Sequence, residues 1–196
     1  ELIHTGKIDF EYVPCLCESV NFELISCIDR YEIHQNTVIC KKCGLIQANP
    51  RMSKISTEEF YLSDTYRTLY EENHIDYYKN YYSQNPGIEI FNIISQAYDV
   101  NSESKILEFG AGGGWNLIPF LDKCLNVTGY DYSPSLVDLG KKNGINMING
   151  SISDIKGKYD VIILNHVLEH FNHPFQSIKQ ICNHLNKDGI IYIGVP

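Results

Sequence analysis

Residues 106–117 read ILEFGAGGGWNL. The segment KILEF (105–109) is an apolar strand, and it runs straight into a glycine-rich turn and a helix start. Glycine suits such a turn because it enters backbone angles that other residues avoid. Its missing side chains also predict close approach by a ligand. The first turn of the following helix, from about Trp115 to Lys123, would offer N–H groups to an anion.

Outward from this turn, strands and helices alternate. NVTGYD (126–131) is a strand, and SPSLVDLGKKNG (133–144) is a helix with Ser133 as cap, Pro134 in the first turn and Gly144 at the end. INMING (145–150) is a short strand. YDVIILN (159–165) is continuously apolar, as a central parallel strand covered on both faces should be. A helix from about Pro174 to Leu185 and the strand IIYIGV (190–195) complete the pattern. Alternation of this kind implies right-handed βαβ units, hence an α/β doubly wound, Rossmann-like sheet. Ligands of such sheets sit at the carboxyl ends of the strands.

Three regions follow: 1–50, with short strands and knuckle-like turns; 51–101, a tyrosine-rich helical segment; and 102–196, the α/β core. The chain has 196 residues, 43% of them hydrophobic, which suits a globular domain with a smaller appendage. No apolar run nears the roughly 20 residues that span a bilayer, and no basic start leads into an apolar segment. Net charge is −8, with 16 basic and 24 acidic residues, and no basic face of the kind that grips nucleic acid. These features predict a cytoplasmic protein with a small-molecule substrate and neither nucleic acid nor membrane as partner. An odd count of seven cysteines, grouped rather than scattered, points to a reducing compartment and metal binding rather than disulfides.

The glycine spacing narrows the ligand. A dinucleotide fingerprint reads G-x-G-x-x-G. Gly110, Gly112 and Gly113 begin one, but its sixth position is Trp115. What stands here is E-x-G-x-G-x-G, from Glu108 through Gly110 and Gly112 to Gly114. This resembles the first motif of class I S-adenosylmethionine (SAM)-dependent methyltransferases, whose glycine loop packs on the amino-acid part of SAM. The resemblance covers roughly residues 70–196 and implies further positions. Asp131 would accept from both ribose hydroxyls, with Tyr132 beside it. Asp154, flanked by Ser153 and Ile155, would accept from the adenine amino group, and Ile152 or Ile155 would pack on the ring. Ala111 belongs to the loop itself, and Asn165 and His166 stand next to the methionine part. The competing reading is a nucleotide fold holding NAD through Asp131.

Residues 166–170 read HVLEH, literally the inverted zinc-protease motif H-x-x-E-H. That chemistry needs the ligands on a helix, whereas here the motif leaves a strand directly and soon meets Pro174. The stretch NHVLEHFNHP resembles the loop after the fourth strand of small-molecule methyltransferases. His166 or His170 is a candidate general base, since imidazole titrates near neutral pH; alternatively His166 lines the cofactor and His170 packs or caps.

Cys40 and Cys43 are spaced C-x-x-C before Gly44, a zinc knuckle, while Cys15 and Cys17 are spaced C-x-C. Together they predict a closed structural zinc site, against the alternative of four reduced thiols. CLCES…CKKCGLIQANPR, followed by FYLSDTYR, resembles the zinc-binding amino-terminal domain of sugar C-methyltransferases acting on nucleotide-linked deoxysugars. That family has C-x-x-C in the first knuckle as well, and the shortened one here departs from it. The resemblance implies C- or O-methylation of a nucleotide-linked sugar or glycan precursor in carbohydrate biosynthesis, with Tyr66 reaching over cofactor or sugar and Arg67 meeting a carboxylate or phosphate. A small-molecule O-methyltransferase of the quinone type and a SAM- or zinc-binding partner subunit without turnover are the alternatives. A complete fold of this class adds two strands beyond the fifth, so the resemblance also predicts a carboxyl-terminally truncated sheet at Pro196.

Overall fold

The structure, a computed structural model, describes residues 8–29, 32–62, 82, 84–124 and 126–196. The chain divides into two compact units, Glu1–Glu59 and Phe60–Pro196.

The first unit is a small antiparallel module. Strands β2 (Phe22–Ile28), β3 (His34–Cys40) and β4 (Ile46–Ala48) form a sheet in the order β2-β3-β4, while β1 (Phe10–Glu11) pairs with β5 (Arg51–Met52). Its apolar interior is thin. Among its described residues the buried hydrophobic side chains are Cys15, Val38 and Cys40, whereas Leu24, Ile25, Ile28 and Ile46 are exposed. A module this small does not gather enough apolar area to hold itself together and ordinarily needs a staple.

The second unit is a five-stranded, wholly parallel sheet in the order β10-β9-β6-β7-β8. Its strands are β6 (Lys105–Phe109), β7 (Asn126–Asp131), β8 (Asn146–Asn149), β9 (Tyr159–Asn165) and β10 (Leu185–Gly194). The predicted bounds of β6, β7 and β9 are those observed. Side chains alternate across the sheet. Ile106, Val161 and Ile163 enter one core with Ile90, Ile94, Leu117 and Phe120, whereas Leu107, Phe109, Ile162 and Leu164 enter the other with Tyr130 and Ile181. The chain reverses between β6 and β9, so the switch point opens beside the carboxyl end of β6.

The helices are shorter than their sequence patterns. The stretch expected as helix from Trp115 to Lys123 is a 3-10 turn over Trp115–Leu117 followed by one short helix, Ile118–Leu121, with Pro119 in its first turn. The helix expected to reach Leu185 ends at Cys182, because Leu185 already pairs with Tyr159 as the start of β10. β10 therefore begins five residues before Ile190, and its register shifts between Leu185 and Ile190. Gly189 sits in that shift, where a Cβ would lie 3.0 Å from the Asp160 carbonyl oxygen. The helix Pro134–Lys142 follows the prediction: the Ser133 hydroxyl accepts from the Leu136 N–H at 3.3 Å, and Gly144 closes the end at φ +81°. In the tyrosine-rich segment, helices Lys54–Leu62 and Ile88–Ala97 are described. Tyr66, Arg67, Tyr70, Tyr77, Tyr78 and Tyr81 lie outside the described residues.

Candidate functional site

The turn after β6 is built on three left-handed glycines. Gly110, Gly112 and Gly114 have φ of +72°, +57° and +81°. Protein atoms stand at each of the three Cβ positions. A Cβ would lie 2.4 Å from Val167 Cγ2 at Gly110, 2.4 Å from Trp115 Cη2 at Gly112 and 2.8 Å from Ile145 Cδ1 at Gly114. The glycines let the turn pack as tightly as the core beneath it. Backbone bonds fix it further, since the N–H groups of Gly110 and Ala111 both donate to the Tyr130 carbonyl, at 2.8 and 2.9 Å.

Asp131 closes β7 beside this turn. Its Oδ2 accepts from the Gly112 N–H at 2.6 Å and its Oδ1 from the Ser133 N–H at 2.8 Å. Both oxygens are held in place. The Asn149 amide donates to the carbonyls of Asp131 and Tyr132, at 3.1 and 2.7 Å, which holds the strand end rigid. The Tyr132 ring rests edge-on against Phe109, with centroids 6.1 Å apart.

Glu108, one residue before Phe109, is fully buried. Its Oε1 accepts from the Asn116 amide at 2.8 Å, while Oε2 has no hydrogen-bond partner among the described residues. Burial pushes the carboxyl up to about 8; Asn116 opposes the shift and the nearby Asp131 adds to it. A protonated acid at neutral pH therefore lies under the turn, one oxygen unsatisfied. Asn116 was missed from sequence; only its spacing from Glu108, one helical start later, hinted at the contact.

After β8 the chain makes a 3-10 turn over Ile152–Asp154. The Asp154 carboxylate closes a capping box, accepting from the Ser151 N–H and hydroxyl, both at 2.7 Å. These bonds to Ser151 hold its carboxyl below the usual carboxylate range, against a small opposing effect of burial. The Ser153 hydroxyl lies 2.7 Å from that of Ser151. Ile155 is buried in the core with Phe109 and Tyr130, and Ile152 packs against that cluster from a more open position.

The exit of β9 carries the histidines. Asn165 ends the strand opposite Gly194, and His166 follows at φ +54°, its N–H donating to the Gly194 carbonyl at 2.8 Å. Val167 then turns inward onto Gly110. Leu168–His170 is a single 3-10 turn, too short to present H-x-x-E-H as a protease helix does. Glu169, read in the sequence only as the glutamate of H-x-x-E-H, stands between the two rings, with Oε1 3.7 Å from His166 Nδ1 and 3.9 Å from His170 Nε2. The Tyr61 ring meets His170 edge-on at 5.9 Å. Burial pulls His170 below the ordinary histidine value; Glu169 offsets part of this and His166 adds to it.

In the first unit Cys15, Cys17, Cys40 and Cys43 converge, with all four sulfurs within 4.8 Å of one another. Cys15 Sγ is 3.4 Å from Cys43 Sγ, and Cys17 Sγ is 3.6 Å from Cys40 Sγ. The shortened first knuckle closes through a turn in which the Glu18 N–H donates to the Cys15 carbonyl, with Glu18 at φ +67°. The second closes with the Gly44 N–H on the Cys40 carbonyl and Gly44 at φ +78°. Burial pushes the Cys40 thiol up, but the backbone N–H groups of Cys43 and Lys42 outweigh it and bring the thiol down to about 6. No other described group of three or more His, Cys, Asp or Glu side chains converges in this way.

A parallel sheet with a glycine turn after its first strand, a carboxylate ending its second and an open switch point is the Rossmann-like methyltransferase fold. A family model described as a methyltransferase domain matches residues 87–196, and the chain belongs to that family. Among curated proteins, the ubiquinone biosynthesis O-methyltransferase of Rickettsia canadensis is 32% identical over 109 residues, 52% of this chain and 46% of that protein. The malonyl-[acyl-carrier protein] O-methyltransferase of Bacillus anthracis is 28% identical over 114 residues, again 52% of this chain and 41% of that one. The chain thus spans under half the length of these relatives. Among solved structures, the plantazolicin methyltransferase BpumL, in complex with a monoazolic desmethylPZN analog and SAH, superposes with a TM-score of 0.53 at 23% identity, over 70% of this chain and 58% of that one. A candidate SAM-dependent methyltransferase of Methanococcus maripaludis gives 0.54 at 18% identity, over 63% of this chain and 61% of that one. These structural likenesses extend the agreement in fold.

Proposed function

We propose that this chain is the cofactor-binding part of a SAM-dependent methyltransferase that modifies a small molecule in the cytoplasm. The observation that carries the reading is Asp131, a carboxylate fixed at the end of β7 by two backbone N–H groups, directly beside the glycine turn. A carboxylate suits the paired hydroxyls of a ribose because it presents two acceptor oxygens. Glu108 supports the same reading: among the described residues its buried Oε2 has no hydrogen-bond partner, which leaves a polar atom under the turn for a ligand group. Asp154 and Ile152 suit the adenine end, and Asn165 and His166 the methionine end.

When bound, SAM supplies an electrophilic methyl group on a sulfonium sulfur. The residues of this chain align the acceptor and take its proton, because such a displacement depends chiefly on alignment until the acceptor must lose a proton. His170 is the better base of the two histidines. Its lowered proton affinity keeps the imidazole neutral at pH 7 and able to accept, and Glu169 steadies the imidazolium that results.

For the acceptor, the cysteine module supports a nucleotide-linked sugar or glycan precursor. Zinc–sulfur bonds of about 2.3 Å place the sulfurs of a tetrahedron about 3.8 Å apart, and the separations here bracket that value. The four cysteines therefore fit a structural zinc, in a module whose own core is too thin to close without one. The second reading, O-methylation of a quinone-type hydroxyl, is favoured by the relatives matched over the methyltransferase domain, which are themselves O-methyltransferases. Calorimetric titration with SAM, its demethylated product S-adenosylhomocysteine (SAH) and NAD tests the cofactor. The first two should bind and weaken at least tenfold in Asp131→Ala; binding of NAD alone would refute the proposal. Methyl transfer from labelled SAM to nucleotide sugars or to catechol-like quinone precursors then separates the acceptors.

A further inference from the structure

The stretch QANPR (47–51) follows the second cysteine knuckle and supplies neither a thiol nor a group of the cofactor site. β1 pairs with β5 in a register that puts Phe10 opposite Met52 and Glu11 opposite Arg51. Continued by two residues, that register brings Val13 opposite Asn49. The backbone ladder cannot follow it there, because Pro50 has no N–H and the Asn49 N–H already donates to the Asn36 carbonyl of β3 at 3.1 Å. The Asn49 side chain completes the pairing instead. Its Oδ1 accepts from the Val13 N–H and its Nδ2 donates to the Val13 carbonyl, both at 3.1 Å. One side-chain amide thus exchanges with Val13 the two bonds that a facing strand residue would exchange. Asn49 is itself buried, so water does not compete for either bond.

Val13 stands two residues before Cys15, in a loop with almost no apolar anchor. Tyr12, Leu16 and Val20 are 81%, 44% and 79% exposed, and Cys15 is the one buried side chain between positions 11 and 20. Hydrogen bonds therefore have to locate the loop. On its far side Lys42 Nζ donates to the Cys17 carbonyl at 3.3 Å, but that lysine is exposed. The Asn49 pair is the shielded tie. Position matters here because the close sulfur contacts cross from one knuckle to the other, Cys15 to Cys43 at 3.4 Å and Cys17 to Cys40 at 3.6 Å. A shift of the first knuckle opens both, and metal–ligand distances hold only to within about 0.2 Å. We infer that Asn49 is a positioning residue of the metal site: its backbone is bonded to β3, the strand that ends at Cys40, and its side-chain amide sets the Cys15–Cys17 loop against that strand. The inference rests on the zinc reading above and gives the asparagine after the second knuckle a task in it.

The test titrates the whole chain with zinc against a chromophoric chelator, in the wild type, Asn49→Ala, Asn49→Asp and Gln35→Ala. Gln35 is the control: its Nε2 donates to the Asn36 and Pro50 carbonyls, at 3.3 and 2.9 Å, so it ties the same stretch to β3 but makes no bond to Val13. Emission of Trp115, the single tryptophan, checks the second unit. Asn49→Ala should bind zinc at least about tenfold more weakly than the wild type, the usual effect of losing a residue that supports metal ligands, and Gln35→Ala should change by no more than about threefold. Asn49→Asp keeps the shape and the acceptor for the Val13 N–H and adds a charge that attracts a cation, so a loss of affinity there comes from the missing donor. Cobalt separates positioning from mere stability, because its thiolate charge-transfer band counts the sulfurs on each bound ion. That band should weaken per bound cobalt in Asn49→Ala and stay whole in Gln35→Ala. Equal bands in the two, or a zinc affinity in Asn49→Ala no lower than in Gln35→Ala, would overturn the inference. If Asn49→Ala does not fold around any metal, Asn49→Asp decides by the same two comparisons. A wild type that binds zinc no more tightly than Cys40→Ser would instead remove the zinc reading, and this inference with it.

Discussion

Glu108 offers the most exposed test of the physical reasoning. Its carboxyl titrates near 8 in the folded protein against an ordinary 4.5. The unfolded chain gives up its proton near 4.5, while the folded chain keeps it until about 8. Between those values the folded state binds one more proton, so stability falls as pH rises, by ~1.4 kcal/mol per pH unit. Across the whole window the loss is about 5 kcal/mol, an order-of-magnitude figure. Below pH 4.5 both states are protonated and the effect vanishes. Glu108→Gln retains an oxygen that accepts from Asn116 and has no charge to desolvate, so its stability should lack this slope. The assay is urea denaturation of both proteins from pH 5 to pH 9, followed by emission of Trp115, which reports on the second unit alone. Other titrating groups act equally on both proteins and cancel in the difference. The stability of Glu108→Gln relative to wild type should rise by at least 2 kcal/mol between pH 5 and pH 8. Parallel curves would refute the reasoning, because they would mean that Glu108 is solvated or already paired as a carboxylate.

Three further outcomes follow from the geometry. The purified chain should hold one zinc per molecule, and Cys40→Ser or Cys43→Ser should lose it; metal content by mass spectrometry checks this, and chelation should unfold the β2–β4 module while Trp115 emission stays constant. Gly110→Ala should cost about 2 kcal/mol or more, since a Cβ there meets Val167 at 2.4 Å with φ at +72°; adding Val167→Ala should recover the steric part but not the backbone part, as read by denaturant midpoints. Glu169→Gln should lower the proton affinity of His170 further, because the one group that raises it is removed; histidine proton resonances followed against pH, assigned with His170→Gln, measure this directly.

How much of this was legible in the sequence depends on how local each determinant is. β9 was bounded correctly because a parallel strand buried on both faces needs a nearly unbroken apolar run, VIIL here, and the run itself marks the ends; β6 and β7 were bounded by the glycine turn and the serine-proline helix start that follow them. Helix ends were not, because they depend on partners elsewhere. Cys182 ends its helix since Leu185 is claimed by Tyr159, a contact no periodicity encodes. Asp131 and the four cysteines were readable because strand ends and knuckle spacing are written locally. Trp115 was read as a helix start, which it is, but its ring packing depends on Tyr82, thirty-three positions earlier in the chain. The contact of Glu169 with both histidines was not legible because three residues of 3-10 turn set its reach, and an α-helical or extended reading of HVLEH places it otherwise.

The packing of the turn ties these residues into one device. Val167 occupies the Cβ space of Gly110, and Val167 belongs to the loop that carries His166, Glu169 and His170. His166 enters that loop at φ +54°, a strained angle for a non-glycine residue, and is held there by its N–H bond to Gly194 at the end of β10. The turn is in turn bonded to Asp131 through the Gly112 N–H and to β7 through the Tyr130 carbonyl. The turn that would cradle the donor and the loop that would deprotonate the acceptor are therefore registered to each other through one valine and one missing side chain. A displacement of this kind tolerates little error in alignment, since effective molarity is lost within about an ångström. The glycines of this turn are thus required by the protein's own packing before any ligand arrives, and that packing links the turn beside Asp131 to the loop that carries the two histidines.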